Sequence, residues 1–340
     1  MCAERQKGRA DDSIAALLHS SYTAAERKQA ALLLEVARRY YVQGQSQAEI
    51  AQAVSFSRPT VSRLLASARR RGVVKIQISH PLERVLSIEE DLVRTFGLKQ
   101  ARVADPIDAS AAQQAIARYA ADLVVENSSE DVVLSVSNGL AVTATVDAMP
   151  PLVWPRSRAI QMIGSVGESD LLLDSPETCR RMARKLGGSF HPLPAPLIVS
   201  DETVAESLRS NNQISTTLEL GARADIALVG VGATTEGRSG LILRSYETPD
   251  MVQELMDSDS VAHLCGHHIS SSGEHVWTRL CPRTIAVDIE RLREIPLVIG
   301  VAWGEHKVRA LTAAMRGKFI SALVTDRATA LRLLDLAVRP

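Results

Sequence analysis

Residues 55–72 read SFSRPTVSRLLASARRRG, and the interpretation of the whole chain turns on this stretch. Ser57 stands where a helix N-cap would, and Pro59 falls in the first turn, where a missing N–H costs nothing. Val61, Leu64, Leu65 and Ala68 recur at three- and four-residue steps, which predicts one buried stripe. Gly72 closes the helix, and Arg69, Arg70 and Arg71 crowd its far end.

Upstream, residues 1–22 read as a flexible N-terminal tail. From Thr23 a helical pattern begins, with Ala30, Leu33, Leu34, Ala37 and Tyr41 as the expected stripe and Gly44 as its stop. Ser46 and Glu49 have capping-box spacing ahead of QAEIAQAV (47–54), a short helix expected to bury Ile50, Ala51 and Val54. SFS is then a tight turn, and VVKIQIS (73–79) alternates as a strand. Helix, helix, turn, helix and strand over residues 23–80 is the order of a winged helix-turn-helix, whose recognition helix enters the major groove with its N-terminal residues toward base edges.

The proline has a purpose in that geometry. It starts the helix rigidly, so that Arg58, Thr60, Ser62 and Arg63 face DNA. Arginine can grip guanine in a bidentate way, and hydroxyls can bond bases or phosphates. Gln47, Ser57 and Arg70 complete the candidate DNA-binding set, with Arg69–Arg71 directed to phosphates or the wing. The bland alternative is a helix packed inside a larger protein with solvated arginines. Agreement of length, turn and trailing strand favours DNA.

The charge pattern agrees. The 340 residues are neutral overall, yet residues 1–80 hold 13 Lys and Arg against six Asp and Glu, while the rest is acidic by the same margin. A polyanion partner is expected for the first part only. At 46% hydrophobic and 23% charged, the chain has ample material for a core and suits two domains. No apolar run reaches 18 residues, and MCAERQKGRADD lacks an apolar signal region, so neither a membrane span nor a secretory signal is expected. Cys2, Cys179, Cys265 and Cys281 lack CxxC spacing and read as reduced thiols of a cytoplasmic protein.

Residues 81–98 return to helical spacing, with Val85, Ile88, Leu92 and Phe96 as a stripe; this helix is a linker or a dimer contact. Beyond it, buried runs of four to eight residues alternate with helices, which implies βα units around a largely parallel sheet over residues 99–340. Ligands bind such sheets at the carboxyl ends of strands. Those ends read SVSNGLA (135–141), IGSVGE (163–168), VGVGATT (229–235) and VAWGEHK (301–307). None is a Walker A motif or a full GxGxxG with its acidic partner, so ATP and dinucleotides are disfavoured and no cofactor is expected.

The stretch QSQAEIAQAVSFSRPTVSRLLASARRRGVVKIQI (45–78) closely resembles the DNA-binding segment of the SorC family of bacterial transcriptional regulators. The likeness extends over roughly residues 25–335, best marked in ADIALVGVGA, PLPAPLIVSDETVAESL and LREIPLVIGVAWGEHKVRALTAAMRGKFISALVTD. It implies an effector domain of the NagB/RpiA kind without retained catalysis, dimers or tetramers, and DNA affinity set by a sugar, sugar phosphate or polyol. Lys307 matches the lysine that neutralises phosphate in the family. His263 stands where an acidic residue holding sugar hydroxyls is expected. Ser137, Asn138 and Gly139 occupy a usually hydroxyl-rich turn, followed by Leu140 and Ala141 in place of threonines. Gly164, Gly232 and Arg244 complete the expected effector-binding set. With hydroxyls lost and no arginine around IGSVGE, a monophosphate or neutral polyol fits better than a bisphosphate.

Other constellations are weaker. HLCGHH (263–268) with His275 invites a metal, and if 261–269 were one strand, His263, Cys265 and His267 would share a face. Lys307 could be a Schiff-base lysine, with Glu305 and His306 as acid–base groups, but adjacency on a loop is no evidence of convergence. Trp303 is a sugar platform or core. The sequence thus points to a regulator of a carbohydrate or polyol operon, homodimeric or homotetrameric. A sugar-phosphate enzyme with a DNA-binding head and a metal-responsive regulator are the alternatives.

Overall fold

A computed structural model describes residues 23–74, 81–105, 109–166, 174–234, 253–255 and 257–338. The tail expected at 1–22, most of the wing strand and Arg244 lie outside the described residues. The chain divides into two units, residues 1–79 and 80–340.

The first unit is built on three helices: α1 (Ala24–Tyr41), α2 (Gln47–Ala53) and α3 (Arg58–Arg70). The capping box is formed: Ser46 Oγ accepts the Glu49 N–H at 3.3 Å, and the Glu49 carboxylate accepts the Ser46 N–H at 2.7 Å. Val36, Ile50, Ala51, Val61 and Leu65 form one core, and Leu33, Ala37 and Ala68 a smaller one. The α1 stripe therefore differs from expectation. It runs through Leu33, Val36 and Ala37, whereas Ala30, Leu34 and Tyr41 are exposed. Packing against α3 sets the buried face, and the expected stripe is rotated away from it. Leu64 and Val54 are only partly buried.

The turn before α3 carries Ser55 at φ +56°, a left-handed conformation that costs a non-glycine residue about 1–2 kcal/mol. Glycine removes that cost but gives part of it back, because it adds conformational freedom to the unfolded chain. Ser55→Gly should stabilise this unit by about 0.5–1 kcal/mol, read as a raised midpoint of its thermal unfolding transition. An unchanged or lowered midpoint would show that Ser55 makes a compensating contact.

The second unit opens with α4 (Pro81–Phe96), which buries Val85, Ile88 and Leu92 in this unit's own core. A seven-stranded sheet follows: β1 (Gln100–Ala104), β2 (Val133–Val136), β3 (Arg158–Gln161), β4 (Ser189–His191), β5 (Ile226–Gly230), β10 (Leu297–Val301) and β11 (Ala322–Asp326). Its order is β1-β11-β10-β5-β2-β3-β4, and every neighbouring pair is parallel. Helices α5 (Ala109–Glu126), α6 (Leu140–Ala148), α7 (Ser175–Leu186), α8 (Glu202–Arg209), α9 (Asn212–Ala222), α10 (Val308–Arg316) and α11 (Arg327–Val338) make the connections. α8 and α9 are separate helices, because Asn211 caps a new start. Period-two alternation sends Ile226, Leu228, Ile299 and Val324 to one core layer, and Ala227, Val229, Val298 and Leu323 to the other.

β1 is an edge, and the Val103 N–H is satisfied by the Glu89 carboxylate of α4 at 2.7 Å. Burial raises the Glu89 pKa, against the opposing pull of that hydrogen bond and of Arg102. A carboxyl raised in the folded state loses stability as pH climbs through the unfolded and then the folded value. Glu89→Gln keeps an acceptor for Val103 and should flatten the loss of stability between acidic and neutral pH in urea titrations. Parallel wild-type and variant profiles would contradict this.

A second, antiparallel sheet joins β6 (Gly232–Ala233), β7 (Ser260–Leu264), β8 (His267–Ser270) and β9 (His275–Val276). β7 and β8 are not one strand. Cys265 at φ +51° and Gly266 at φ +84° form a two-residue hairpin turn, with Leu264 paired to His267. Among the described residues no helix is long and apolar enough to cross a membrane.

Candidate functional site

Two surfaces concentrate the expected residues, one on each unit. On the first, Ser57 caps α3 by accepting the Thr60 N–H at 3.4 Å, and its Oγ lies 2.8 Å from Thr60 Oγ1. These two hydroxyls are occupied with starting the helix. Arg58, Ser62, Arg63, Arg69 and Arg70 are exposed, and Gln47 is half-exposed at the first position of α2. No carboxylate among the described residues pairs with any of these arginines. Unneutralised guanidinium groups along one short helix fit a phosphate backbone and base edges.

On the second unit the chain turns to opposite sides of the sheet after β2 and after β5, which are neighbours. That is a topological switch point, where loops diverge and leave a crevice. The Ser137 N–H donates to the Leu228 carbonyl at 3.1 Å, and Ser137 Oγ accepts the Gly230 N–H at 3.4 Å. Ser137 therefore ties the two strand ends together. Gly139, at φ +108°, starts α6 without a side-chain cap, and Leu140 beyond it is exposed. The first N–H groups of α6 are thus available to an anion.

β6 continues from β5 and pairs Gly232 with His263. The imidazole lies directly on the Gly232 Cα, so that a Cβ there would fall inside the ring. Burial, with smaller contributions from His268 and Lys307, pushes the His263 pKa down to about 3, so the ring is neutral at physiological pH. Its Nδ1 is buried with no partner among the described residues. Lys307 ends a short 3-10 turn, Glu305–Lys307, beside β6. It is half-buried, burial lowers its pKa, and no carboxylate among the described residues pairs with it. Gly230 thus lies against the Ser137–Asn138 turn, and Gly232, His263 and Lys307 follow it along β6, β7 and the turn beside β6.

Gly164 stands apart from that group. Its nearest neighbours are the backbone of Pro196 and Leu197, too close for a side chain, and its N–H donates to the Ile285 carbonyl at 2.9 Å. A cavity of about 350 Å3 opens beside it, beyond β3 and β4, lined by Gln161, Ser165, Arg180, Phe190, Pro192 and Pro196. The Arg180 guanidinium stands 5.4 Å from the Phe190 ring centre. Sequence reasoning missed this wall. Its one legible signal was Gln161, a polar residue inside the apolar run 159–163.

The hairpin also redistributes the histidines. His263 and His268 are cross-strand partners, while His267 packs against His275 with ring centres 5.2 Å apart. The shared face of His263, Cys265 and His267 does not form, because the turn at Cys265–Gly266 breaks the alternation. Among the described residues no three His, Cys, Asp or Glu side chains stand together to hold a metal.

A cationic helix-turn-helix unit joined to an α/β unit with a polar crevice at its switch point is the build of a ligand-controlled transcription regulator. Residues 80–335 match the Sugar-bind family of sugar-binding domains. The chain is 28% identical over 312 residues to the deoxyribonucleoside regulator of Bacillus subtilis, covering 91% of this chain and 99% of that one. It is 30% identical over 309 residues to the transcriptional regulator LsrR of Klebsiella pneumoniae, covering 90% and 93%. The crystal structure of the full-length sorbitol operon regulator SorC from Klebsiella pneumoniae matches with a TM-score of 0.73 at 26% identity, over 89% of this chain and 98% of that one. The chain belongs to the SorC family of transcriptional regulators.

Proposed function

We propose that residues 23–80 bind operator DNA and that the crevice binds a small carbohydrate-type effector, a monophosphate or neutral polyol, which alters that affinity. The observations that support the effector class are Lys307, a half-buried lysine beside β6 that no described carboxylate pairs, and the uncapped N-terminus of α6 at the end of β2. One cation and a few backbone N–H groups match one phosphate or an array of hydroxyls. The neutral His263 ring can give or take a hydrogen bond to a hydroxyl without adding charge. Leu140 and Ala141 bring no donor side chain for a second phosphate.

This reading makes the protein a regulator with an effector domain of the NagB/RpiA kind, and not an enzyme. A neutral His263 and a lysine that no described carboxylate pairs, with Glu305 of the same turn engaged by Arg332, do not make an acid–base pair. A dimer would place two recognition helices one DNA turn, about 34 Å, apart on a palindromic operator. Effector binding shifts DNA affinity only by its differential affinity for the two states. Thermal unfolding with a panel of free polyols, monophosphates and bisphosphates tests the effector class. A monophosphate or free polyol should raise the midpoint, and stabilisation by bisphosphates alone would overturn the reading.

A further inference from the structure

Lys307 is the last residue of a 3-10 turn of three residues, which is too short to hold a lysine in place by its own hydrogen bonds. The turn is entered through Gly304 at φ +98°. The Gly304 carbonyl accepts the Lys307 N–H at 2.9 Å, while the Gly304 N–H donates to Thr329 Oγ1 at 2.8 Å. Thr329 in turn donates its hydroxyl to Asp326 Oδ2 at 2.9 Å and its N–H to Asp326 Oδ1 at 2.7 Å. Both Asp326, the last residue of β11, and Thr329, in the first turn of α11, are buried.

The direction of each bond in this chain is dictated. An ionised carboxylate only accepts, so the Thr329 hydroxyl proton points at Asp326 and its lone pairs stay free for the Gly304 N–H. Were that proton turned the other way, the half-buried Gly304 N–H would lose its acceptor. We infer that Asp326 and Thr329 are positioning residues for Lys307, fixing the lysine's turn through Gly304 so that its ammonium faces the effector's anionic group. They touch no effector themselves. The inference rests on Lys307 being the effector's cation, as proposed above. It adds that β11 and α11, outside the crevice, set effector affinity.

The test separates the two claims. Reductive 13C-methylation labels the lysines of the full chain, and Lys307→Arg assigns the Lys307 signal. A pH titration of that signal then reports the lysine's surroundings without any ligand. Wild type should titrate below an ordinary lysine. Thr329→Val should move the value up toward an exposed lysine, Asp326→Asn should do the same by misdirecting the hydroxyl, and Thr329→Ser should restore the wild-type titration. Inorganic phosphate, added as the probe, should perturb the Lys307 signal several-fold more weakly in Thr329→Val than in wild type. A Lys307 titration unchanged in the folded Asp326→Asn and Thr329→Val proteins overturns the relay. A Lys307 signal in wild type that ignores phosphate, with the relay effects intact, overturns the anion reading and leaves the positioning role standing.

Discussion

Arg58→Ala or Arg63→Ala should weaken binding to DNA from upstream of the protein's own gene by about 1–3 kcal/mol and relax base preference at one position. Both arginines are exposed on the N-terminal half of α3 and neither is neutralised by a described carboxylate. The neighbouring hydroxyls cannot substitute. Ser57 and Thr60 are bonded to each other and to the helix start, which leaves Ser62 as the free hydroxyl of that surface. Arg70, at the other end of α3, should behave differently. Arg70→Ala is expected to weaken all duplexes alike and reduce the salt slope by about one. Fluorescence anisotropy at several salt concentrations measures both quantities. Equal losses on every sequence for all three variants would make α3 a phosphate-binding helix and move base readout elsewhere.

The second large effect concerns Gly232. An alanine Cβ there would enter the His263 ring, which is buried and would have to shift. Overpacking of this kind costs about 1–3 kcal/mol. Gly232→Ala should therefore lower stability by that amount in urea titrations and abolish the effector response, because the displaced imidazole intrudes on the crevice beside Lys307. His263→Ala in the same chain should recover most of the lost stability. It would not recover the response if His263 itself binds the effector. The double-mutant cycle isolates the clash from the separate losses. Additive losses would place the glycine's role in the backbone of β6 rather than in the space it leaves for the ring.

Local signals carried much of this architecture into the sequence. The capping box at Ser46 and Glu49, the Ser57 cap with Pro59 and the stripe through Val61, Leu65 and Ala68 are rules of neighbouring residues, and they form as expected. The βα alternation was legible because strands buried on both faces read as continuous apolar runs. What periodicity could not supply was rotation and pairing. α1 shows several apolar residues around its circumference, and only packing against α3 selects Leu33, Val36 and Ala37. The run 261–269 alternates well enough for one strand. Cys265 at φ +51° nevertheless folds it into a hairpin, a conformation the residue type does not advertise.

The crevice was half legible for the same reason. Its glycines and Lys307 sit at strand ends, which a βα reading locates without knowing strand order. The order β10-β5-β2-β3, which makes the switch point, comes from long-range pairing. So does the approach of Asp326 and Thr329 to Gly304, 25 residues earlier in the chain at its Thr329 contact. The Arg180–Phe190 wall joins a helix to an edge strand and left no motif behind.

The central claim is that one chain couples a DNA-binding helix to a carbohydrate-type ligand. Its most direct test is anisotropy of labelled upstream DNA titrated with wild-type protein and with Lys307→Gln, each with and without the compound that most raises the unfolding midpoint. Specific DNA binding that the compound shifts in wild type, and does not shift in Lys307→Gln, is the predicted result. Consumption of the compound without specific DNA binding, or an identical shift in both proteins, would contradict it.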